Sequence, residues 1–445
     1  MATTDQGSGR LRRAVTGPLL YLFILGDVLG AGIYALVGEM AGAAAGMIWL
    51  PLLVALGMAM LTAASYAELV TKYPQAGGSA VYVQRAFGRP LASFLAGFCM
   101  LAAGVTSAAA LSLAFAGDYL GEFLDLPPVP VAIVFLAAVG LLNARGIKES
   151  VRANTVMTAI ELTGLLTVVV LGAVVLGRGD GDLGRVLELP TDVTLAGATL
   201  AGALIAFYSF VGFETSANIA EELTEPSRIY PRALFASMLT AGVVYLLVGV
   251  VAPAVVAPAD LEGSSGPLVE VVRVAGGVPT EVFAVVALVA VANGALLTMI
   301  MSSRLVYGMA DQRLLPSPLS RVLPGRRTPW AAIVVTTVVA MGLTAIGDLV
   351  TLASTVVLLL LLVFLMVNVS VLVLRRDAVE HPHFRAWTVL PVLAIASCVL
   401  LLTRQEARHW LLAGALVGVG VVLYLVTGRG SAVRAAAQGE DAAAV

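Results

Sequence analysis

The sequence predicts an all-α polytopic membrane protein with twelve transmembrane helices. Three observations predict it: the composition, the length of the apolar runs, and the placement of the basic residues. Of 445 residues, 59% belong to the set AVILMFWYC and only 12% are charged. An ordinary soluble domain carries about 25% charged residues. So few charges cannot cover a water-exposed surface of this size, which excludes a soluble enzyme and a disordered chain. The formal net charge of −2 provides no basic field for nucleic acid.

A helix crossing a bilayer needs about 20 mostly apolar residues. Such runs occur, in order, at 15–37, 47–70, 91–116, 130–142, 154–177, 195–220, 234–257, 281–306, 329–346, 349–374, 387–403 and 409–427. The first is too long for the roughly 7–15-residue apolar core of a secretory signal, and it contains Asp27. The fourth is the shortest and is expected to extend at one end or the other. Leu, Val and Ala fill the runs on all sides, as lipid-facing helices require. Pro127-Pro128-Val129-Pro130 and Pro316-Ser317-Pro318 punctuate loops between them.

The Lys and Arg residues divide unevenly between alternate loops. The two tails and the loops after even-numbered runs hold 21 of the 26, and the other loops hold 5. By the positive-inside rule both termini are cytoplasmic and the number of spans is even. The expected organisation is a cytoplasmic tail over 1–14, a membrane-spanning core over 15–374 with halves at about 15–177 and 195–374, two further helices over 375–427, and a cytoplasmic tail over 428–445.

Function in such a chain is sought where the apolar rule is broken, because a charge at the bilayer centre costs about 2.5–3.5 kcal/mol on insertion scales. Asp27 lies among Gly26, Gly30 and Gly32, a cluster that predicts a break in the first span. The alternative for Gly26 and Gly30 is a small-residue packing face. Glu214 lies in the sixth span beside Ser209, Phe210, Gly212 and Phe213, which predicts a second break. Glu161 stands in the fifth span with nothing basic near it in sequence. Glu68, at the end of the second span and four residues before Lys72, reads as an interfacial acid. His381, His383 and His409, with Cys99 and Cys398, have no metal-ligand spacing. No phosphate-loop motif occurs. No enzyme activity, metal or cofactor is expected.

The stretches Gly30-Ala31-Gly32-Ile33-Tyr34, Ser65-Tyr66-Ala67-Glu68-Leu69, Tyr73-Pro74-Gln75-Ala76-Gly77-Gly78-Ser79 and Phe207 to Glu214 form a series. The series continues through Glu221-Glu222, Pro226-Ser227-Arg228 and Pro231-Arg232-Ala233 to Ser303-Arg304-Leu305-Val306-Tyr307-Gly308-Met309-Ala310 and Arg327-Thr328-Pro329-Trp330. In this order they resemble the amino acid–polyamine–organocation (APC) superfamily, over about residues 15–425, and are nearest its cationic amino acid transporter-like branch. The resemblance implies a LeuT-type fold of two inverted five-helix repeats with two peripheral helices.

It also implies a secondary active transporter that moves amino acids across the cytoplasmic membrane by alternating access. Spans 1, 2, 6 and 7 would rock against spans 3, 4, 8 and 9. Proton symport is the expected mode; exchange, sodium coupling and a non-transporting sensor are the alternatives. The implied partners are an amino acid or related amine, a proton or sodium ion, and the lipid bilayer. The implied substrate site comprises Gly26, Val28, Gly30, Ala31, Gly32, Phe207, Tyr208, Ser209, Phe210 and Gly212. The substrate carboxylate would meet amides at the first break and its amine would meet carbonyls at the second. Thr298, Ser302 and Ser303 are the expected oxygen ligands if sodium is used.

Two positions depart from the family pattern. Some proton-coupled members carry a lysine in the fifth span where this chain has Glu161, and many relatives have a small or apolar residue at Asp27. Asp27, Glu161 and Glu214 are therefore the candidates for proton coupling or gating, with Asp27 and Glu161 expected to approach and share a proton.

Overall fold

A computed structural model describes residues 15–442 except 31, 76, 122, 146–147, 192, 265 and 324–327, and leaves the side chains of 118, 148–153 and 428–442 undescribed. The expected tails at 1–14 and, for their side chains, 428–445 therefore lie outside the described residues. Ten helices are long and apolar enough to cross a membrane, and two shorter apolar helices complete the set. Spans 1 to 6 are Gly17–Ala44, Trp49–Lys72, Pro90–Gly117, Pro128–Arg145, Asn154–Arg178 and Leu195–Glu222. Spans 7, 8, 10 and 12 are Pro226–Val255, Thr280–Asp311, Leu349–Leu374 and Ala407–Thr427; the shorter spans 9 and 11 are Trp330–Ile346 and Val389–Thr403. The twelve match the twelve apolar runs, and the fourth extends at both ends.

Local chemistry sets the ends. Pro90 and Pro226 open spans 3 and 7, where a missing N–H costs nothing. The Thr194 hydroxyl accepts from the Gly197 amide and the Asp348 carboxylate from the Thr351 amide, capping spans 6 and 10. Two spans are interrupted as expected. Span 1 consists of helices Gly17–Leu29 and Gly32–Ala44. In span 6 the α-helix ends at Ser209 and a 3-10 segment, Phe213–Glu222, follows. Gly212, at φ +123°, makes the turn between them in a conformation that favours glycine.

The packing has two centres, which span 5 joins through spans 7 and 8 and span 10 joins through span 6. Spans 1 and 2 pack on span 7, and span 6 packs on spans 1 and 2; span 3 packs on spans 8 and 10, and span 4 on span 9. The chain entering span 1 meets the chain leaving span 6: the Val15 amide donates to the Glu222 carbonyl (3.0 Å) and the Thr224 amide to the Val15 carbonyl (3.3 Å). Glu68, read as an interfacial acid, does lie at the end of span 2. It is buried, and Arg375 from the end of span 10 grips both its oxygens at 3.1 and 2.9 Å. The loop 375–388 folds back over the end of span 2 and supplies this partner, which sequence neighbours could not reveal.

Candidate functional site

The two helix breaks face one another. A Cβ on Gly32 would lie 2.7 Å from the Ser209 Cα, and a Cβ on Gly212 would lie 2.8 Å from the Asp27 carbonyl oxygen. Glycine at both positions lets the two backbones touch. The first turn of the helix beginning at Gly32 has amides without intrahelical partners. At the end of the preceding half, Tyr245 donates to the Val28 carbonyl at 2.6 Å and satisfies one of its orphan acceptors. In span 6 the Phe207 and Tyr208 carbonyls accept from the Phe210 and Val211 amides in a tightened last turn. Each of these two carbonyls keeps a second lone pair, as the expected contact with a substrate amine requires. The Ser209 hydroxyl is buried without a hydrogen-bond partner among the described residues.

The breaks form one wall of a cavity of about 1150 Å³. Asp27, Gly30, Tyr208, Ser209, Gly212 and Glu214 lie on this wall. Span 3 (Ala103, Gly104, Ser107), span 8 (Thr298, Met301, Ser302) and span 10 (Val356, Leu360) form the opposite side. The Tyr208 and Ser107 hydroxyls meet across the cavity at 2.9 Å. At one end the cavity reaches Gln84, Arg85 and Gln312, which are exposed, so it opens to that face of the protein. Arg304 and Glu222 line this outer part.

The three intramembrane acids have different surroundings. Asp27 is partly exposed to the cavity and its carboxylate accepts from the Thr215 hydroxyl. Glu214 is buried and its carboxylate accepts from the Gly212 amide at 2.9 Å, bracing the turn from inside. Glu161 is fully buried away from the cavity lining, where Asn293 of span 8 donates to one of its oxygens at 2.9 Å and to Asn154 at 3.1 Å. Its other oxygen has no hydrogen-bond partner among the described residues. Asp27 and Glu161 share no hydrogen bond among the described residues.

Of the expected substrate residues, Val28, Gly30, Gly32, Tyr208, Ser209 and Gly212 line the cavity. Gly26 faces span 5 instead, where a Cβ would fall 2.0 Å from the Thr158 hydroxyl. Phe207 packs on Phe364 with ring centres 6.2 Å apart, and Phe210 on Tyr245 at 5.2 Å. Ala31 lies outside the described residues. Thr298 and Ser302 line the cavity, but each hydroxyl donates to a carbonyl of its own helix, Gly294 at 3.0 Å and Thr298 at 2.7 Å. Ser303 is turned away and accepts from Asn143 at 3.1 Å. No group of three or more His, Cys, Asp or Glu placed to hold a metal occurs among the described residues.

A pair of broken helices meeting at the wall of a deep mid-span cavity is the arrangement of a carrier. The family model for amino acid permeases matches residues 19–422. The chain belongs to the amino acid permease family. An uncharacterized transporter of Mycobacterium tuberculosis is 32% identical over 405 residues, covering 90% of this chain and 88% of the relative. The branched-chain amino acid permease BcaP of Bacillus subtilis is 26% identical over 464 residues, covering 96% of each. The vacuolar cationic amino acid transporter 2 of Arabidopsis thaliana is 33% identical, covering 82% of this permease and 60% of the relative.

Sequence reasoning missed three partners in the permease site. Thr215 holds Asp27, Asn293 holds Glu161, and Ser107 holds Tyr208. Asn293 carried a signal, since an amide in the middle of an apolar span is as anomalous as Glu161. A threonine or serine is common enough in spans to carry none.

Proposed function

We propose that this permease is a secondary active transporter of neutral amino acids, coupled to protons and working by alternating access. The observation that carries the reading is the contact between the breaks of spans 1 and 6 on the wall of a cavity open at one end. The substrate carboxylate meets the unpaired amides and positive dipole end of the helix beginning at Gly32. The unpartnered Ser209 hydroxyl offers a polar contact beside it. Around the breaks the opposite wall presents Ala103, Gly104, Ser107, Met301, Val356 and Leu360, with no charged group. The acids Asp27 and Glu214 lie on the other wall, at the breaks themselves, where they accept from Thr215 and Gly212. A neutral side chain suits this lining better than a cationic one, in keeping with the branched-chain relative.

Asp27 carries the coupled proton in this reading, since it alone of the acids combines partial exposure to the cavity with a bond across the two breaks. The open end of the cavity lies among the basic loops, and the positive-inside rule supports a cytoplasmic side of the cytoplasmic membrane for it and for both termini. Residues 15–374 form the transport core and 375–427 the peripheral helices. The test is uptake into liposomes holding purified protein, empty or preloaded, with and without an inward proton gradient, using labelled leucine, alanine, lysine and arginine. Gradient-driven accumulation of leucine or alanine in empty vesicles is expected. Uptake confined to preloaded vesicles makes the protein an exchanger. Preference for lysine or arginine overturns the neutral-substrate reading, and no uptake at all overturns the transporter reading.

A further inference from the structure

A second cavity, of about 600 Å³, lies outside the transport site between the first turns of spans 1 and 7. The pairing of Val15 with Leu223 brings these two helix beginnings to the same level, which is the membrane–water boundary where both spans start. Arg228 and Arg232 line the cavity one helical turn apart and so project from one face of span 7. Both are exposed, and neither forms an ion pair with a described carboxylate. Glu225 also lines the cavity, leaving one net positive charge there.

Other features point the same way. The Thr16 hydroxyl makes no capping bond to span 1, so amides of that first turn remain available beside it. Thr224 also lines the cavity, with its hydroxyl donating to the Val15 carbonyl at 3.4 Å. Between and beyond the arginines the wall is formed by Ile229, Ala233 and Ala236, with Tyr21 from span 1. In sequence Arg10, Arg12 and Arg13 immediately precede this point. By contrast, Arg375, elsewhere in the protein, is committed to Glu68.

We infer that this cavity binds the phosphate of an anionic phospholipid headgroup, with an acyl chain along its apolar wall. A phosphodiester offers anionic oxygens to the two guanidinium groups and hydroxyls at headgroup depth. Basic pockets between spans near a membrane surface are suited to such lipids. A lipid seated there touches the beginnings of both spans, and span 1 leads directly to Asp27.

Binding is read by native mass spectrometry of the purified full chain in mild detergent. It is titrated with phosphatidylglycerol or phosphatidylcholine, and phosphatidylglycerol is also competed with inorganic phosphate. Phosphatidylglycerol is expected to bind at least tenfold more tightly than phosphatidylcholine. The double variant Arg228→Gln/Arg232→Gln is expected to weaken it about fivefold per arginine, the size of effect of one basic residue at an anionic surface. Arg376→Gln, which removes an exposed cation elsewhere in the chain, should leave it unchanged. All these positions are exposed, so folding is preserved, and the melting temperature checks it. Undiminished binding by the double variant overturns the site. An equal loss with Arg376→Gln reduces it to general charge attraction, and inorganic phosphate competing at the same concentration as the lipid makes it a free-anion site; both overturn the proposal.

Discussion

The Thr215 hydroxyl lies within hydrogen-bond reach of both the Asp27 carboxylate and the Gly212 carbonyl. A hydroxyl has one proton, so it donates to one of them at a time. With Asp27 ionised, the proton points to the carboxylate and ties span 1 to span 6. With Asp27 protonated, the acid can donate to the threonine oxygen, and the hydroxyl proton turns to Gly212 within span 6. In the proposed coupling, the protonation state of one acid is thereby read at the break of the other helix. Thr215→Val keeps the shape of the side chain and removes the relay. Gradient-driven accumulation should fall at least tenfold, in line with the roughly 1.5–3 kcal/mol that a hydrogen bond to a charged group contributes, while exchange in preloaded vesicles persists. Thr215→Ser should restore it. Wild-type accumulation by Thr215→Val would sink the relay.

Glu161 is expected to behave differently from Asp27. Its hydrogen-bonded oxygen accepts from Asn293, and a glutamine can accept the same bond. Glu161→Gln should therefore keep both the fold and most of the gradient-driven accumulation. Glu161→Leu leaves the buried Asn293 with one partner fewer and should cost about 1–3 kcal/mol of stability. Asp27→Asn should abolish accumulation without a comparable loss of stability. If Glu161→Gln abolishes accumulation and Asp27→Asn does not, the coupling proton belongs to Glu161.

Gly212 makes a separate prediction. Its φ of +123° is strained for any L side chain, and an added Cβ would press on the Asp27 backbone at 2.8 Å. Gly212→Ala should lower stability by about 1–3 kcal/mol from the backbone alone and reduce uptake more than tenfold. Gly57, in the middle of span 2, has nothing within 4 Å of such a Cβ. Gly57→Ala should leave uptake unchanged and raise stability by at most about 1 kcal/mol, since alanine is the better helix former, so thermal unfolding and uptake of the two variants separate the effect of the break from that of any glycine replacement.

The number and limits of the spans were legible because each needs its own apolar run and caps lie close in sequence. The breaks were legible for the same local reason: Gly26, Gly30 and Gly32 around Asp27, and Gly212 beside Glu214, disfavour a continuous helix by themselves. What could not be read was contact across the bundle. Gly26 shares the small size of Gly30 but faces Thr158 rather than the cavity, and helix rotation decides which. Phe207 and Tyr208 are neighbours, yet only Tyr208 reaches the cavity lining, because adjacent helical residues point about 100° apart. The partner of Glu161 lies 132 residues away, at a distance where periodicity carries no information.

The Glu68–Arg375 pair tests how the two ends of the core are joined. Arg375 binds both oxygens of Glu68 and donates to the Ala386 carbonyl at 2.6 Å and to the Thr388 hydroxyl at 2.7 Å. The Ala386 amide in turn donates to Glu68 at 2.9 Å. Next to them the Lys72 ammonium donates to the Leu374 carbonyl at 2.6 Å and also to the Asp377 carbonyl, so span 10 and its following loop are fastened to span 2. An isolated surface ion pair would contribute little, but Glu68 is buried and the set is satisfied on every side. Removing the arginine leaves a buried carboxylate without its charge partner, which costs about 3–5 kcal/mol. Arg375→Ala should therefore lower the melting temperature sharply, whereas Glu68→Gln, which removes the buried charge and keeps an acceptor, should cost less than half as much. The double variant Arg375→Ala/Glu68→Gln should be more stable than Arg375→Ala alone. Equal losses for the two single variants, with simple addition in the double, would show that the pair is not coupled and that the loop is held by its backbone contacts.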